Sequence, residues 1–115
     1  SLASNGLLTN ETTLAENPQL VHAMIRAFLL GVADTIADPD QAYEISKKYV
    51  EGLEQADRSV QMEVLMASIE FWQTDTPGRS DPVAWENMHT VLLEMGLLPQ
   101  ALDVSQAFTN QFVEP

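Results

Sequence analysis

The sequence predicts a mainly α-helical protein with four main helices, a short terminal helix and one N-terminal strand. Three Asx-proline pairs mark helix starts: Asn17-Pro18, Asp38-Pro39 and Asp81-Pro82. An Asx side chain accepts a hydrogen bond from a free amide of the first turn, and proline at the first helical position has no amide to leave unpaired. Apolar residues then recur three and four positions apart, as one face of a helix requires.

The first helix is predicted over residues 18–37. Its apolar stripe consists of Val21, Met24, Ile25, Phe28, Val32 and Ile36. Gly31 lies within this helix and lowers its stability by about 1 kcal/mol relative to alanine. We therefore expect another element to pack closely against Gly31 and offset that cost.

Two further helices are predicted over residues 39–53 and 58–73. Asp38 and Gln41 have the spacing of a capping box at the start of the first of these. The residues expected to be buried along it are Ala42, Ile45, Tyr49 and Leu53. The other helix is apolar nearly all round where it reaches Phe71 and Trp72, so we expect that end to be heavily covered.

The fourth helix is predicted over residues 82–95. Gly96 suits the left-handed position that ends a helix, and Pro99 prevents a restart. The residues expected to be buried are Trp85, Met88, Val91, Leu92 and Met95. A short helix over residues 104–108 follows Asp103. Residues 2–9 predict the single strand, and one strand has no partner within the sequence.

The charge balance excludes several kinds of partner. The 115 residues, expected to form a single domain, contain 17 acidic and five basic side chains, a net charge of −12. Such a surface repels nucleic-acid phosphates and anionic lipid. The absence of cysteine excludes disulfides and thiolate chemistry. No apolar run approaches the ~20 residues of a membrane span, and we expect an exported precursor to need a signal sequence that these residues do not include.

No catalytic or metal site is predicted. Glu86 and His89 form one Glu-x-x-His pair on the fourth helix, whereas di-iron bundles use two such pairs. His22 lies beside the apolar stripe of the first helix. It is too far from His89 in the sequence for the two histidines to indicate a zinc site. The sequence has no nucleophile elbow, dinucleotide-binding glycine motif or phosphate-binding loop. We therefore expect neither enzymatic activity nor a cofactor.

Ordered matches along the chain resemble a known family. The residues that carry them are Gly6-Leu7-Leu8-Thr9-Asn10-Glu11, Glu16-Asn17-Pro18-Gln19-Leu20-Val21, Phe28, Gly31, Asp38-Pro39-Asp40-Gln41-Ala42, Asp81-Pro82, Trp85, Glu94-Met95-Gly96-Leu97-Leu98, Asp103 and Phe108-Thr109-Asn110-Gln111-Phe112. In this order and spacing the chain is similar to the C-terminal portion of substrate-binding proteins of ABC importers in the NMT1/THI5-like group. That group also includes nitrate, taurine and sulfonate binders.

The resemblance implies a fragment of a type II periplasmic-binding-protein fold, in which two α/β lobes close on a ligand. Ser4 and Asn5 would then lie nearest the cleft and bind ligand, because ligands gather at strand ends. The implied ligand is a thiamine-pyrimidine-like heterocycle or another small heterocyclic or anionic solute, with little binding by the fragment alone. The implied partner of the full-length protein is an ABC permease, and the implied location is outside the cytoplasm.

Two alternatives to a solute-binding fragment stay open from the residues. One is a stand-alone acidic helical module that binds other proteins, and the other is a small metal-dependent enzyme that uses Glu86 and His89. Helices that should cover a sheet would expose apolar surface without one, and an unpaired strand edge invites pairing. We therefore expect a homodimer, with residues 2–9 paired between copies.

Overall fold

The computed structural model describes residues 2–3 and 5–113. Within them the elements are α1 (Glu11–Glu16), α2 (Pro18–Ala37), α3 (Pro39–Ser46), α4 (Arg58–Trp72), α5 (Pro82–Glu94) and two 3₁₀ turns, Leu53–Gln55 and Val104–Gln106. The mainly α-helical prediction is confirmed for these residues. The complete α/β binding-protein fold remains an implication of the family resemblance.

The predicted N-terminal strand is wrong for the described part of residues 2–9, which contains no strand. A strand needs a neighbour for its hydrogen bonds. Here the Ala3 amide donates to the Ala84 carbonyl of α5 at 3.4 Å. The chain then forms α1, which the prediction missed, where the Asn10 side chain accepts from the Thr13 amide at 2.8 Å.

The helix predicted over residues 39–53 ends early, at Ser46. Gly52 has a φ of 81°, a left-handed conformation that a non-glycine residue rarely adopts, and it starts the 3₁₀ turn Leu53–Gln55. The Tyr43 hydroxyl donates to the Leu53 carbonyl at 3.4 Å, which ties this turn back to α3. A tertiary contact thus replaces the two further helical turns that the apolar pattern predicted.

The other boundaries lie close to prediction. Helix α2 has the predicted bounds, α4 and α5 each end one residue early, and the terminal helix is the shorter turn Val104–Gln106. Asp38 accepts from the Gln41 amide at 3.0 Å and Asp81 from the Val83 amide at 2.9 Å. Gly96 takes the left-handed conformation that ends α5, at a φ of 69°.

The chain divides into two compact units. The central unit is Arg26–Pro77, and the terminal unit is the described part of Ser1–Ile25 and Gly78–Pro115. In the central unit Tyr43 and Ile69 are buried, and the Arg58 guanidinium carbon lies 5.3 Å from the centre of the Tyr43 ring. Arg58 also pairs with Asp40, so that one arginine joins the start of α4 to α3.

The terminal unit is assembled from distant parts of the chain. Its buried apolar residues are Ala84, Phe112 and Val113. The His22 ring meets Phe112 edge-on at 5.1 Å, and Trp85 stacks on Phe108 at 5.4 Å. The tail and the first turns of α2 are therefore in contact within this unit.

Several residues that were expected to be buried are exposed. Tyr49 and Phe71 are 82% and 87% exposed, and no residue of α2 is fully buried. A Cβ built on Gly31 would meet nothing within 4 Å, so the expected close packing there is wrong. Ile45, Trp72, Val91 and Met95 are also exposed. These helices present apolar side chains that the described chain does not cover.

Helix α2 also differs from the expectation of no membrane-length segment. Among the described residues, it alone is long and apolar enough to span a bilayer when judged by length and composition only. Core helices of water-soluble proteins and signal sequences satisfy the same test.

Candidate functional site

The predicted ligand-binding residues lie in the segment before α1. Ser4 lies outside the described residues. Asn5 is exposed, two positions after the backbone contact between Ala3 and α5. Neither of the two grooves found in the central unit includes Asn5. A ligand-binding role for Ser4 and Asn5 stays a prediction.

Of the Glu86 and His89 pair, His89 has a structural partner. The Nε2 atom of His89 accepts a hydrogen bond from the Leu102 amide at 3.0 Å, so this nitrogen carries no proton. The imidazole thereby ties the segment after α5 back to the helix. Among the described residues, no group of three or more His, Asp or Glu side chains is arranged to hold a metal ion.

The charged groups of the central unit pair along α3 and with the start of α4. Glu44 pairs with Lys47, and the hydrogen bond that the Lys47 ammonium donates to the Glu44 carboxylate holds the pKa of Lys47 above its usual value. The Arg58 Nε atom lies 3.9 Å from the same Glu44 carboxylate. Both bases are therefore held by acids of α3, which accounts for their positions without a ligand.

The carboxylate of Asp103 caps the turn Val104–Gln106. It accepts hydrogen bonds from the Ser105 hydroxyl at 2.6 Å and the Ser105 amide at 3.0 Å. These bonds favour the ionised form and lower the pKa of Asp103 below its ordinary value of 3.8. The lowered pKa therefore reflects a cap at the surface.

An apolar groove lies within the central unit. Its floor is the inner face of α2, formed by Leu29, Val32, Ala33 and Ile36, and its wall is the segment of Trp72, Gln73, Thr74, Asp75 and Pro77. The other groove runs along α4 past Met62 and Met66. The apolar floor and the Trp72 indole suit an apolar surface or a flat ring, whereas Gln73, Thr74 and Asp75 make the rest of the wall polar.

A family model described as NMT1/THI5 like matches residues 1–42. This match covers 42 of the 115 residues, and over them the chain is similar to the NMT1/THI5-like family. The match includes the Gly6–Glu11 and Glu16–Val21 stretches, so the resemblance predicted from the sequence is confirmed.

A curated relative extends the match along the chain. The riboflavin-binding protein RibY of Chloroflexus aurantiacus is 39% identical over 118 residues. The match covers 98% of this chain and 34% of RibY, so the chain spans about a third of the length of this relative. No solved structure matches the chain.

The sequence pattern missed a residue that organises the central unit. The missed residue is Tyr43, which follows Ala42 but is not part of the predicted stripe of Ala42, Ile45 and Tyr49. Arg58 was the residue from which a link to α3 could have been predicted. It is a base at the start of α4, and four acids with which it could pair lie between residues 34 and 44.

Proposed function

We propose that this chain is part of the solute-binding component of an ABC importer. The observation that carries the proposal is 39% identity to RibY along 98% of the chain. The family match over residues 1–42 supports the same role independently of RibY. Residues 1–115 would form one helical domain in the C-terminal part of that component, which would work outside the cytoplasm with an ABC permease.

The proposed ligand is a small heterocyclic solute. The name of RibY puts riboflavin first among the ligands to be tested, and the NMT1/THI5-like match keeps a thiamine pyrimidine second. Nitrate and taurine come last, because a chain with a net charge of −12 repels anions at long range and taurine, a zwitterion, has no ring.

The chain alone should bind little solute. Binding sites for small molecules combine an enclosed apolar cavity with a few convergent polar groups. The groove along α2 is open, and Asn5 does not line it. The missing enclosure would come from parts of the binding protein that have no counterpart in this chain. Because the relatives are binding proteins, we also propose that the chain has no enzymatic activity.

A hybrid protein tests this function. The chain replaces the aligned 118-residue region of RibY, and riboflavin binding by the hybrid, RibY and the chain is measured by titration calorimetry. We expect the hybrid to bind riboflavin or the thiamine pyrimidine within about tenfold of the affinity of RibY for riboflavin. Taurine and nitrate, the last-ranked candidates, are titrated in the same way. A folded hybrid that binds none of these solutes would contradict the proposal.

A second candidate function is a stand-alone acidic helical module that binds other proteins. The exposure of Tyr49 and Phe71 favours it, because aromatic side chains are enriched at interfaces. Its simplest form is the homodimer predicted from the sequence, although the described part of residues 2–9 forms no strand to pair. A dimeric mass by light scattering at micromolar concentration would support it, and a monomeric mass at all concentrations would exclude that form.

A further inference from the structure

Within the central unit, α2 has two opposite faces. Its inner face lines the groove with Trp72. Its outer face consists of Ala27, Leu30, Gly31 and Asp34, spaced so that they lie on one side of the helix. All four are exposed, Leu30 at 56%, and the adjacent Phe28 is 52% exposed.

The outer face has the composition of a packing surface. A glycine inside a helix lowers stability, and the usual compensation is the close approach of another element. At Gly31 nothing lies within 4 Å of the Cβ position, so no such element is present. Helix α2 has one base, Arg26, and one acid, Asp34, which is the one charged residue of the outer face, although the whole chain has a net charge of −12. Solubility alone would favour charges on an exposed helix face.

The total surface supports a missing neighbour of considerable size. The chain exposes 9033 Å². A globular monomer of 12.7 kDa exposes roughly 6,200 Å², and two separate globular bodies of half that mass expose roughly 7,500 Å² together. The excess is therefore at least about 1,500 Å², nearly twice the ~800 Å² that one partner buries in an interface of standard size.

We propose that the outer face of α2 is an interface for the part of the binding protein that this chain does not cover. This inference rests on the proposed function. The aligned region is 34% of RibY, so two thirds of the relative's length is available to provide the cover. A second copy fits less well, because two chains that each have a net charge of −12 repel each other at long range. The partner surface is apolar and largely uncharged, and it approaches closely at Gly31.

Cysteine labelling tests this interface, because the chain has no cysteine of its own. Leu30→Cys places a thiol on the outer face, and Glu51→Cys places a matched thiol at an exposed acidic site of the same unit. Each variant is labelled with a maleimide in the isolated chain and in the hybrid with RibY, and site-resolved mass spectrometry gives the rates. In the isolated chain both thiols should react at comparable rates.

In the hybrid, labelling of Leu30→Cys should fall at least about tenfold, while labelling of Glu51→Cys should stay unchanged. Equal labelling of Leu30→Cys in chain and hybrid overturns the inference. A hybrid that protects Leu30→Cys but binds no solute refutes the proposed function and supports the interface. Should the hybrid not fold, hydrogen exchange of α2 is compared with and without the rest of RibY as a separate polypeptide. Slower exchange then supports the interface and unchanged exchange overturns it.

Two results with the isolated chain would show that the outer face of α2 binds something other than the rest of the binding protein. Protection of Leu30→Cys that rises with protein concentration, together with a dimeric mass, gives the face to a second copy. Co-sedimentation with neutral phosphatidylcholine vesicles, lost in Leu30→Lys but kept in Glu51→Lys, gives it to a membrane. Either result overturns the inference.

Discussion

The contacts that stabilise each unit internally span different distances along the sequence in the central and the terminal unit. In the central unit the organising hydrogen bond joins Tyr43 to Leu53, ten positions apart, and the ion pair of Arg58 with Asp40 spans 18. In the terminal unit Ser80 and Asn110 exchange hydrogen bonds across 30 positions, and His22 meets Phe112. Local contacts need little loop closure, so the central unit should form faster than the terminal unit.

The largest expected effect tests whether one tyrosine organises the central unit. Tyr43 is 5% exposed, whereas Tyr49, on the same segment, is 82% exposed. Tyr43→Ala should lower the free energy of unfolding by about 3–4 kcal/mol, because it removes a buried aromatic ring and leaves a cavity. Tyr49→Ala should change it by less than about 0.5 kcal/mol. Urea unfolding followed by circular dichroism measures both.

Comparable losses in the two tyrosine variants would contradict this account of the central unit. Tyr43→Phe separates the ring from its hydroxyl. It should lower the free energy of unfolding by about 1 kcal/mol, because only the hydrogen bond to the Leu53 carbonyl is lost.

A smaller effect is expected for the long-range link of the terminal unit. The Asn110 side chain accepts from the Ser80 amide at 2.8 Å and donates to the Ser80 carbonyl at 2.9 Å. Asn110→Ala leaves both partly buried backbone groups without this partner and should cost about 2 kcal/mol in urea unfolding. The neighbouring exposed Gln111→Ala is the control. No difference between the two variants would mean that solvent replaces the link.

One helix cap in each unit allows the local contributions to the free energy of unfolding to be compared. Asp57 accepts from the Ser59 and Val60 amides at the start of α4, and Asp81 accepts from the Val83 amide at the start of α5. Each aspartate-to-alanine variant should lose about 1 kcal/mol in urea unfolding, since capping depends on the first turn alone. Asp75→Ala, in the loop between the helices, is the control. A loss confined to one unit would show that tertiary context changes the value of a cap.

The smallest effect is a pH dependence in the terminal unit. Hydrogen bonds from Ser105 lower the pKa of Asp103 below 3.8 in the folded chain. Because the pKa of Asp103 is lower in the folded than in the unfolded chain, ionised Asp103 stabilises the fold at any pH above the unfolded pKa. This contribution to the free energy of unfolding is lost as pH falls through the folded pKa. Carboxyl ¹³C titration by NMR should give a midpoint below 3.8, and Ser105→Ala should raise it. A midpoint that Ser105→Ala leaves unchanged would assign the shift to another cause.

Prediction from sequence succeeded where one helical turn holds all the required atoms. The start of α2 at Pro18, the cap of Asp81 and the left-handed Gly96 depend on residues within a few positions of each other. The family resemblance succeeded for a related reason, since it is a property of residue order. Prediction failed where the outcome depended on a distant surface. Residues 2–9 read as a strand by composition alone, although a strand requires a neighbour.

The sequence by itself determined the bounds of α2, the starts of α3, α4 and α5 and the caps at Asp38 and Asp81, because capping and periodicity act over one or two turns. It also determined the resemblance to the NMT1/THI5-like family, which depends on residue order. Tertiary structure alone decided that α3 stops at Ser46, that Tyr43 is buried in place of Tyr49, and that His89 binds the Leu102 amide. It also decided that the space around Gly31 is open. Hydrophobic patterns show which side chains need cover, but the free energy of burial is gained only where another surface is present to provide it.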